Sequence, residues 1–143
     1  CRAKPAARKV QVSISSICKF LPLLYRYLRY CAYVSEKGLI ILAFPCNNFG
    51  SQEPGTNLEI ANFAKEKSAV FPLFAKLSCE EGDRTHPLYR YLRAAVRSSH
   101  GDGIELKWNF EKFLCDSKGV PVKRYLPHVS PMAMEQDIMQ MLL

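Results

Sequence analysis

One cysteine of this chain stands where a thiol can become a nucleophile. Residues 10–17, VQVSISSI, alternate apolar and polar side chains and are rich in β-branched residues, which predicts a strand. Cys18 follows directly, and a helix is predicted from about Phe20, because Pro22 is tolerated only in a first turn. Backbone N–H groups at a helix start, the helix dipole and the charge of Lys19 all favour a thiolate. The alternative is that Cys18 is a small buried hydrophobe.

The six cysteines do not have the spacing of a metal site or a redox pair. There is no CxxC pair and no Cys/His cluster with zinc spacing, so no metal or other cofactor is predicted. A chain of 143 residues can bury a core without disulfides, which favours free thiols in a reducing compartment and predicts a cytoplasmic location. The cysteines are Cys1, Cys18, Cys31, Cys46, Cys79 and Cys115.

The elements that must position Cys18 alternate between strands and helices. Residues 39–44, LIILAF, form a continuous apolar run of strand length. Thr56 and Glu59 have the spacing of a capping box, which predicts a helix from there to about Lys67. Such alternation is typical of parallel βαβ units.

The second half of the sequence predicts a late hairpin and two more helices. The predicted elements are an irregular strand over 70–77, a helix from His86, a hairpin of 110–115 and 120–125, and a last helix from Ser130. Parallel units followed by a hairpin predict one α/β domain over residues 1–143, with a central mixed β-sheet flanked by helices on both faces.

Two motifs closely resemble the signatures of the glutathione peroxidase family. Residues 42–55, LAFPCNNFGSQEPG, match the family's long signature, in which LAFPCNQFG is followed by QEPG, with Asn48 where the family usually has Gln. Residues 107–110, KWNF, resemble the second signature, and residues 112–125, KFLCDSKGVPVKRY, continue the match. The resemblance implies a thioredoxin-like fold and a peroxidase that uses glutathione as its reducing co-substrate.

The resemblance also implies four catalytic positions. The family's attacking residue corresponds to Cys18, its glutamine to Gln52, and its Trp-Asn pair to Trp108 and Asn109. A thiolate attacks a peroxide oxygen and becomes a sulfenic acid, while neutral amide and indole donors can stabilise the sulfur. The alternatives are ordinary ones: a loop amide, a core tryptophan and a turn asparagine.

The resemblance favours glutathione over thioredoxin as the reductant. Thioredoxin-dependent relatives carry a resolving cysteine in the helix where this chain has IANFAKEKSAV, with Ala64 at or near that place. Cys79 remains an alternative resolving partner. The basic residues predicted to attract the glutathione carboxylates are Lys19, Lys107 and Arg124.

The first 37 residues fit the family pattern least. The N-terminal hairpin of the family is missing from this sequence, and Lys19 replaces its Gly. The stretch 96–106 is short, as in the monomeric, phospholipid-hydroperoxide-type branch, so a monomer acting on lipid peroxides is expected.

The charge of +7 leaves other functions open. A catalytically impaired binding protein could contact membrane lipid through the basic, aromatic residues 25–30, YRYLRY. A thioredoxin-dependent peroxidase is a further alternative. Nucleic-acid binding is not expected, because no such signature is present. No apolar run approaches the roughly 20 residues of a membrane span.

Overall fold

The computed structural model describes residues 10–15, 38–69, 71–79, 82–96 and 105–142. Cys18, Lys19 and the helix predicted after them lie outside the described residues, so their predicted structure is untested.

Four strands form one mixed sheet within the described residues. They are β1 (Val10–Ser15), β2 (Leu39–Phe44), β3 (Lys112–Cys115) and β4 (Pro121–Tyr125), in the spatial order β2-β1-β3-β4. β1 runs parallel to β2 and antiparallel to β3, and β3 pairs with β4 in the predicted hairpin. The parallel pair requires a crossover between its strands, whereas the hairpin closes locally. The predicted mixed sheet is therefore confirmed.

Capping side chains begin three of the four helical elements described here. The helices are α1 (Asn57–Glu66), α2 (Pro87–Ala95), a 3₁₀ turn (Pro131–Met134) and α3 (Glu135–Leu142). Thr56 and Glu59 form the predicted capping box: the Thr56 N–H donates to Glu59 Oε2 over 2.7 Å and the Glu59 N–H to Thr56 Oγ1 over 3.3 Å. His86 and Ser130 cap the next two elements with side-chain acceptors. Among the helices described here, none has the length and apolar character needed to cross a membrane.

Helices cover both faces of the sheet. One face presents Leu39, Ile41 and Leu114, which pack with Ile138 of α3. The opposite face presents Phe44 and Phe113, which pack with Tyr89 and Leu92 of α2. The alternation of Phe113 and Leu114 between the two clusters follows the two-residue period of a strand.

The predicted strand over 70–77 is reduced to a single bridge. Leu73 forms an isolated parallel bridge with Ala43, where the Ala43 N–H donates to Pro72 O over 3.0 Å and the Phe74 N–H donates to Ala43 O over 2.9 Å. Pro72 has no N–H with which to extend a ladder, which explains why only one bridge forms. The segment 71–79 is nonetheless tied to the edge of β2.

The strand register brings three segments to one edge of the sheet. Ser15, the last residue of β1, pairs with Phe44, the last residue of β2. Ile14 pairs with Lys112, the first residue of β3. The chain leaving β1, the loop after β2 and the loop before β3 therefore meet at this edge, where open α/β sheets commonly bind ligands.

Asp137 is expected to make the stability of this fold depend on acidity. Lys123 Nζ and Tyr125 Oη each donate to Asp137 Oδ2 over 2.7 Å, and both bonds lower the pKa of the carboxyl from its ordinary value of 3.8. A carboxylate with a lowered folded pKa stabilises the fold above pH 3.8, and this contribution is lost as the pH falls through the folded pKa. We expect Asp137→Asn to lower the free energy of unfolding by roughly 0.5–1 kcal/mol at pH 7, since the pair is partly exposed. In urea unfolding, the difference in free energy of unfolding between the wild type and Asp137→Asn should be smaller at pH 3 than at pH 7. The same difference at both pH values would contradict the role of the ionised carboxylate.

Candidate active site

The loop after β2 presents Gln52 through a left-handed turn. Gly50 and Ser51 have φ angles of 62° and 50°, so two successive residues adopt the left-handed region just before Gln52. Glycine suits the first position, because its φ is left-handed and a Cβ there would make a tight contact, 3.2 Å from Trp108 Cη2. The Glu53 N–H donates to Asn47 Oδ1 over 2.9 Å and closes the loop on itself. Gln52 is thereby held at the exposed rim of the loop.

The loop before β3 presents Trp108 and Asn109. Phe110 has a φ of 65° and is buried, so a second left-handed residue follows directly after Asn109. Glu111 Oε1 accepts a hydrogen bond from the Lys107 N–H, and Glu111 Oε2 forms an ion pair with Arg124 Nε at 2.7 Å. The buried Glu111 carboxylate thus fixes the segment that carries the Trp-Asn pair.

A hydrogen bond joins the two loops. Asn109 Nδ2 donates to Gln52 Oε1 over 2.7 Å, and the same nitrogen is 3.4 Å from Phe49 O. The Trp108 ring packs against Phe49 with ring centroids 5.9 Å apart. Residues 57 to 60 positions apart in sequence are therefore brought together at the edge where β1 ends.

This arrangement leaves hydrogen-bonding groups available to a ligand. Asn109 is 2% exposed, and its Oδ1 has no hydrogen-bond partner among the described residues. Trp108 is 47% exposed, and Gln52 is also exposed. A buried polar atom without a partner carries a cost, which a bound ligand or a neighbouring donor can remove. Asn109, Gln52 and Trp108 therefore form one cluster of polar side chains on two neighbouring loops, with one acceptor that has no partner among the described residues.

The structure brings together three of the predicted site residues. Gln52, Trp108 and Asn109 form the cluster just described, whereas Cys18 and Lys19 lie outside the described residues. The positions of the two latter residues stay predictions.

The two remaining basic residues differ in exposure. Lys107 is exposed beside Trp108, and its contact with a glutathione carboxylate stays a prediction. Arg124 is 2% exposed, and its guanidinium binds Glu111 and the carbonyl of Glu105. Its predicted role as a glutathione-binding residue is corrected: Arg124 supports the Trp-Asn loop from inside the protein.

The described cysteines are buried and poorly suited to nucleophilic attack. Cys46, Cys79 and Cys115 form no disulfide within the described part of the chain. A hydrogen bond with Cys46, together with burial, raises the pKa of Cys79, and burial raises that of Cys115 to about 11. Since the thiolate is the reactive form, Cys79 is a poor resolving thiol in this state, and Cys46 is buried beside it.

Two asparagines contribute more than the sequence indicated. Asn47 Oδ1 accepts from Glu53, and Asn48 Oδ1 accepts from the Cys79 N–H over 2.8 Å. Asn48 is the position at which the long signature departs from the family pattern, and here it anchors the loop to segment 71–79. The Asn-Asn pair in a turn was the available signal, but its partners are distant in sequence.

The fold and this edge-of-sheet site define a thioredoxin-like protein. A crystal structure described as Trgpx in apo form matches 94% of this chain and 80% of its own, with a TM-score of 0.73 and 27% identity. A thioredoxin-family thiol:disulfide interchange protein from Chlorobium tepidum matches 94% of this chain and 81% of its own, with a TM-score of 0.63 and 11% identity, which supports the fold alone.

Within that class, the chain belongs to the glutathione peroxidase family. The model of the family described as "Glutathione peroxidase" matches residues 7–93, more than half of the chain. The phospholipid hydroperoxide glutathione peroxidase of Bos taurus is 47% identical over 75% of this chain and 54% of its own length. A probable phospholipid hydroperoxide glutathione peroxidase of Citrus sinensis is 48% identical over 75% of this chain and 63% of its own. The matches thus span between about half and two thirds of these relatives.

Proposed function

We propose that the protein is a thiol peroxidase that reduces hydrogen peroxide and organic or lipid hydroperoxides with glutathione. The observation that carries the proposal is the Asn109–Gln52 hydrogen bond beside Trp108, at the edge where β1 ends. Cys18 follows Ser15 by three residues, a chain length of at most about 11 Å when extended. The proposed nucleophile therefore follows the end of β1 by no more than this chain length.

The proposed reaction begins with the Cys18 thiolate. The sulfur attacks one peroxide oxygen, the O–O bond breaks, and the other oxygen leaves as water or an alcohol after taking up a proton. The sulfenic acid then condenses with one glutathione thiol, releasing water and forming a mixed disulfide. A second glutathione attacks this disulfide, which gives oxidised glutathione and regenerates the Cys18 thiol.

The donor cluster suits the first of these steps. Since Asn109 already donates to Gln52 Oε1, the Gln52 amide nitrogen is oriented away from Asn109 and can donate elsewhere. The Trp108 indole N–H is a second neutral donor, and Asn109 Oδ1 can accept a hydrogen bond from a peroxide or thiol. Neutral donors stabilise a thiolate without the loss of nucleophilicity that a strongly lowered pKa brings.

Glutathione is the proposed reductant because α1 carries no cysteine and the buried Cys79 is unsuited to resolve a sulfenic acid. The exposed Lys107 beside Trp108 supports binding of an anionic peptide. The relatives' names include phospholipid hydroperoxides, which supports lipid peroxides as substrates and a peripheral contact with lipid. The proposal also includes a monomer in a reducing, cytoplasmic compartment. The compartment is supported by Cys46, Cys79 and Cys115, which form no disulfide within the described residues.

Coupled turnover tests this function. With glutathione, glutathione reductase and NADPH, we expect the wild type to reduce hydrogen peroxide and a phosphatidylcholine hydroperoxide, and Cys18→Ser to lose at least about 1000-fold in rate, because removing a nucleophile of this kind abolishes the covalent path. Cys115→Ala is the matched control, since that buried thiol has a raised pKa, and should retain turnover. A thioredoxin system assayed in parallel distinguishes the reductants; folded wild type without turnover in either assay would leave the binding-protein alternative.

A further inference from the structure

Lys76 binds the backbone immediately after Gln52. Its ammonium group donates to three consecutive carbonyls: Gly55 O at 2.6 Å, Glu53 O at 3.2 Å and Pro54 O at 3.4 Å. An ammonium has three N–H donors and no acceptor, so a cluster of carbonyl oxygens suits it. Hydrogen bonds with a charged donor are stronger than neutral ones.

The backbone of Lys76 is itself fixed by hydrogen bonds. Its N–H donates to Asn57 Oδ1 over 2.8 Å, which ties it to the first residue of α1. The neighbouring Leu77 N–H donates to Pro45 O over 3.0 Å, at the start of the loop that carries Gln52. The side chain therefore spans from the edge of the sheet to the far end of that loop.

The Lys76 contact holds the loop in a strained backbone conformation that would relax without it. Gly50 and Ser51 hold left-handed backbone angles directly before Gln52, and such angles in a residue other than glycine persist only where surrounding contacts enforce them. The Asn47 side chain fixes the loop from inside, through the Glu53 N–H, and Lys76 fixes the same residues through their carbonyls. Gln52 lies between the strained pair and this double anchor.

We propose that Lys76 is a positioning residue for the peroxidase site, which holds the loop so that Gln52 meets Asn109. The proposal rests on the proposed function for its kinetic consequence but not for its structural one. Lys76 acts through Gln52, because its ammonium group binds the backbone carbonyls that follow that residue.

The test compares Lys76→Met, which keeps the aliphatic stem and removes the donors, with Lys76→Arg, which keeps donors. Lys118→Met is the control, because Lys118 is exposed in the hairpin turn at the opposite end of β3 from the site. We expect the rate of the reduced enzyme with hydroperoxide to fall about tenfold in Lys76→Met. The glutathione-dependent steps should be unchanged, Lys76→Arg should recover most of the rate, and Lys118→Met should match the wild type.

A second measurement does not require activity. Trp108 is the only tryptophan of the chain and packs on Gly50 of the loop, so its fluorescence reports the loop directly. Acrylamide quenching of Trp108 and amide exchange of residues 50–55 should both increase in Lys76→Met while circular dichroism stays unchanged. If Lys76→Met does not fold, the same two readouts are made on Lys76→Gln, which keeps a neutral donor and is expected to show smaller increases. Unchanged quenching and exchange would overturn the proposal even if the protein is a peroxidase, whereas increased values in a protein without turnover would sustain the positioning role and reject the function.

Discussion

Replacing Asn109 by Ala is expected to lower kcat/KM for hydroperoxide about 100-fold. The variant removes the donor that orients Gln52 and the buried Oδ1, which has no hydrogen-bond partner among the described residues, and loss of one preorganised site group commonly costs about two orders of magnitude. Asn109→Asp tests the same point at nearly constant shape. A carboxylate cannot donate to Gln52 Oε1, and its negative charge disfavours a nearby thiolate. We therefore expect an equal or larger loss, with the pH at which the rate rises moved upward.

Stopped-flow measurement of the reduced enzyme with hydroperoxide checks both variants. Gln136→Ala serves as the control, because Gln136 is exposed on α3. Thermal unfolding has to show that the Asn109 variants remain folded. A loss smaller than about threefold in folded Asn109→Ala would show that the hydrogen bond between the loops is dispensable.

Replacing Glu111 by Gln is expected to destabilise the protein by about 3–5 kcal/mol. Glu111 and Arg124 form an ion pair at 2.7 Å with both side chains fully buried, so removing the carboxylate leaves a buried guanidinium without its counter-ion. Burial also lowers the pKa of the adjacent Lys112 to about 8, an effect that the Glu111 carboxylate opposes. The substitution also weakens the hydrogen bond from the Lys107 N–H, because a neutral amide oxygen replaces the Glu111 carboxylate as its acceptor. The Trp-Asn loop should therefore loosen together with the core.

Chemical denaturation of Glu111→Gln, Arg124→Met and the double variant Glu111→Met/Arg124→Met provides the measurement. The free energy of unfolding should fall less in the double variant than in either single variant, since the double variant leaves no unpaired charge in the interior. Lys123→Met is the matched control: it breaks the partly exposed pair with Asp137 and should cost at most about 1 kcal/mol. A similarly small loss in Glu111→Gln would mean that the pair contributes little.

Local sequence patterns were sufficient to predict most of the helices and strands that the structure describes. The capping box at Thr56 and Glu59 predicted the start of α1, and the turn residues 116–119 predicted the hairpin. Pro72 indicated an irregular strand, and the structure retains only one bridge there. These features depend on residues close together in the chain, so the sequence displays them directly.

The supports of the site were not predictable in the same way. Arg124 looked like an exposed basic residue near the site, but it lies on the inward face of β4 and pairs with a glutamate 13 positions away. Lys76 reaches carbonyls 21 to 23 positions away, and carbonyl oxygens leave no trace in a sequence. Gln52, Trp108 and Asn109 were found only because their motifs resemble a family pattern, and the single-domain organisation of residues 1–143 stays a prediction.

Trapping the sulfenic acid tests the central claim most directly. The reduced protein is treated with one equivalent of hydroperoxide in the presence of a sulfenic-acid-specific nucleophile, and the labelled residue is identified by mass spectrometry. We predict an adduct on Cys18, with the buried Cys46, Cys79 and Cys115 unlabelled. Folded protein that gives no adduct, or an adduct only on one of those buried cysteines, would contradict the assignment of Cys18 as the peroxide-reducing thiol.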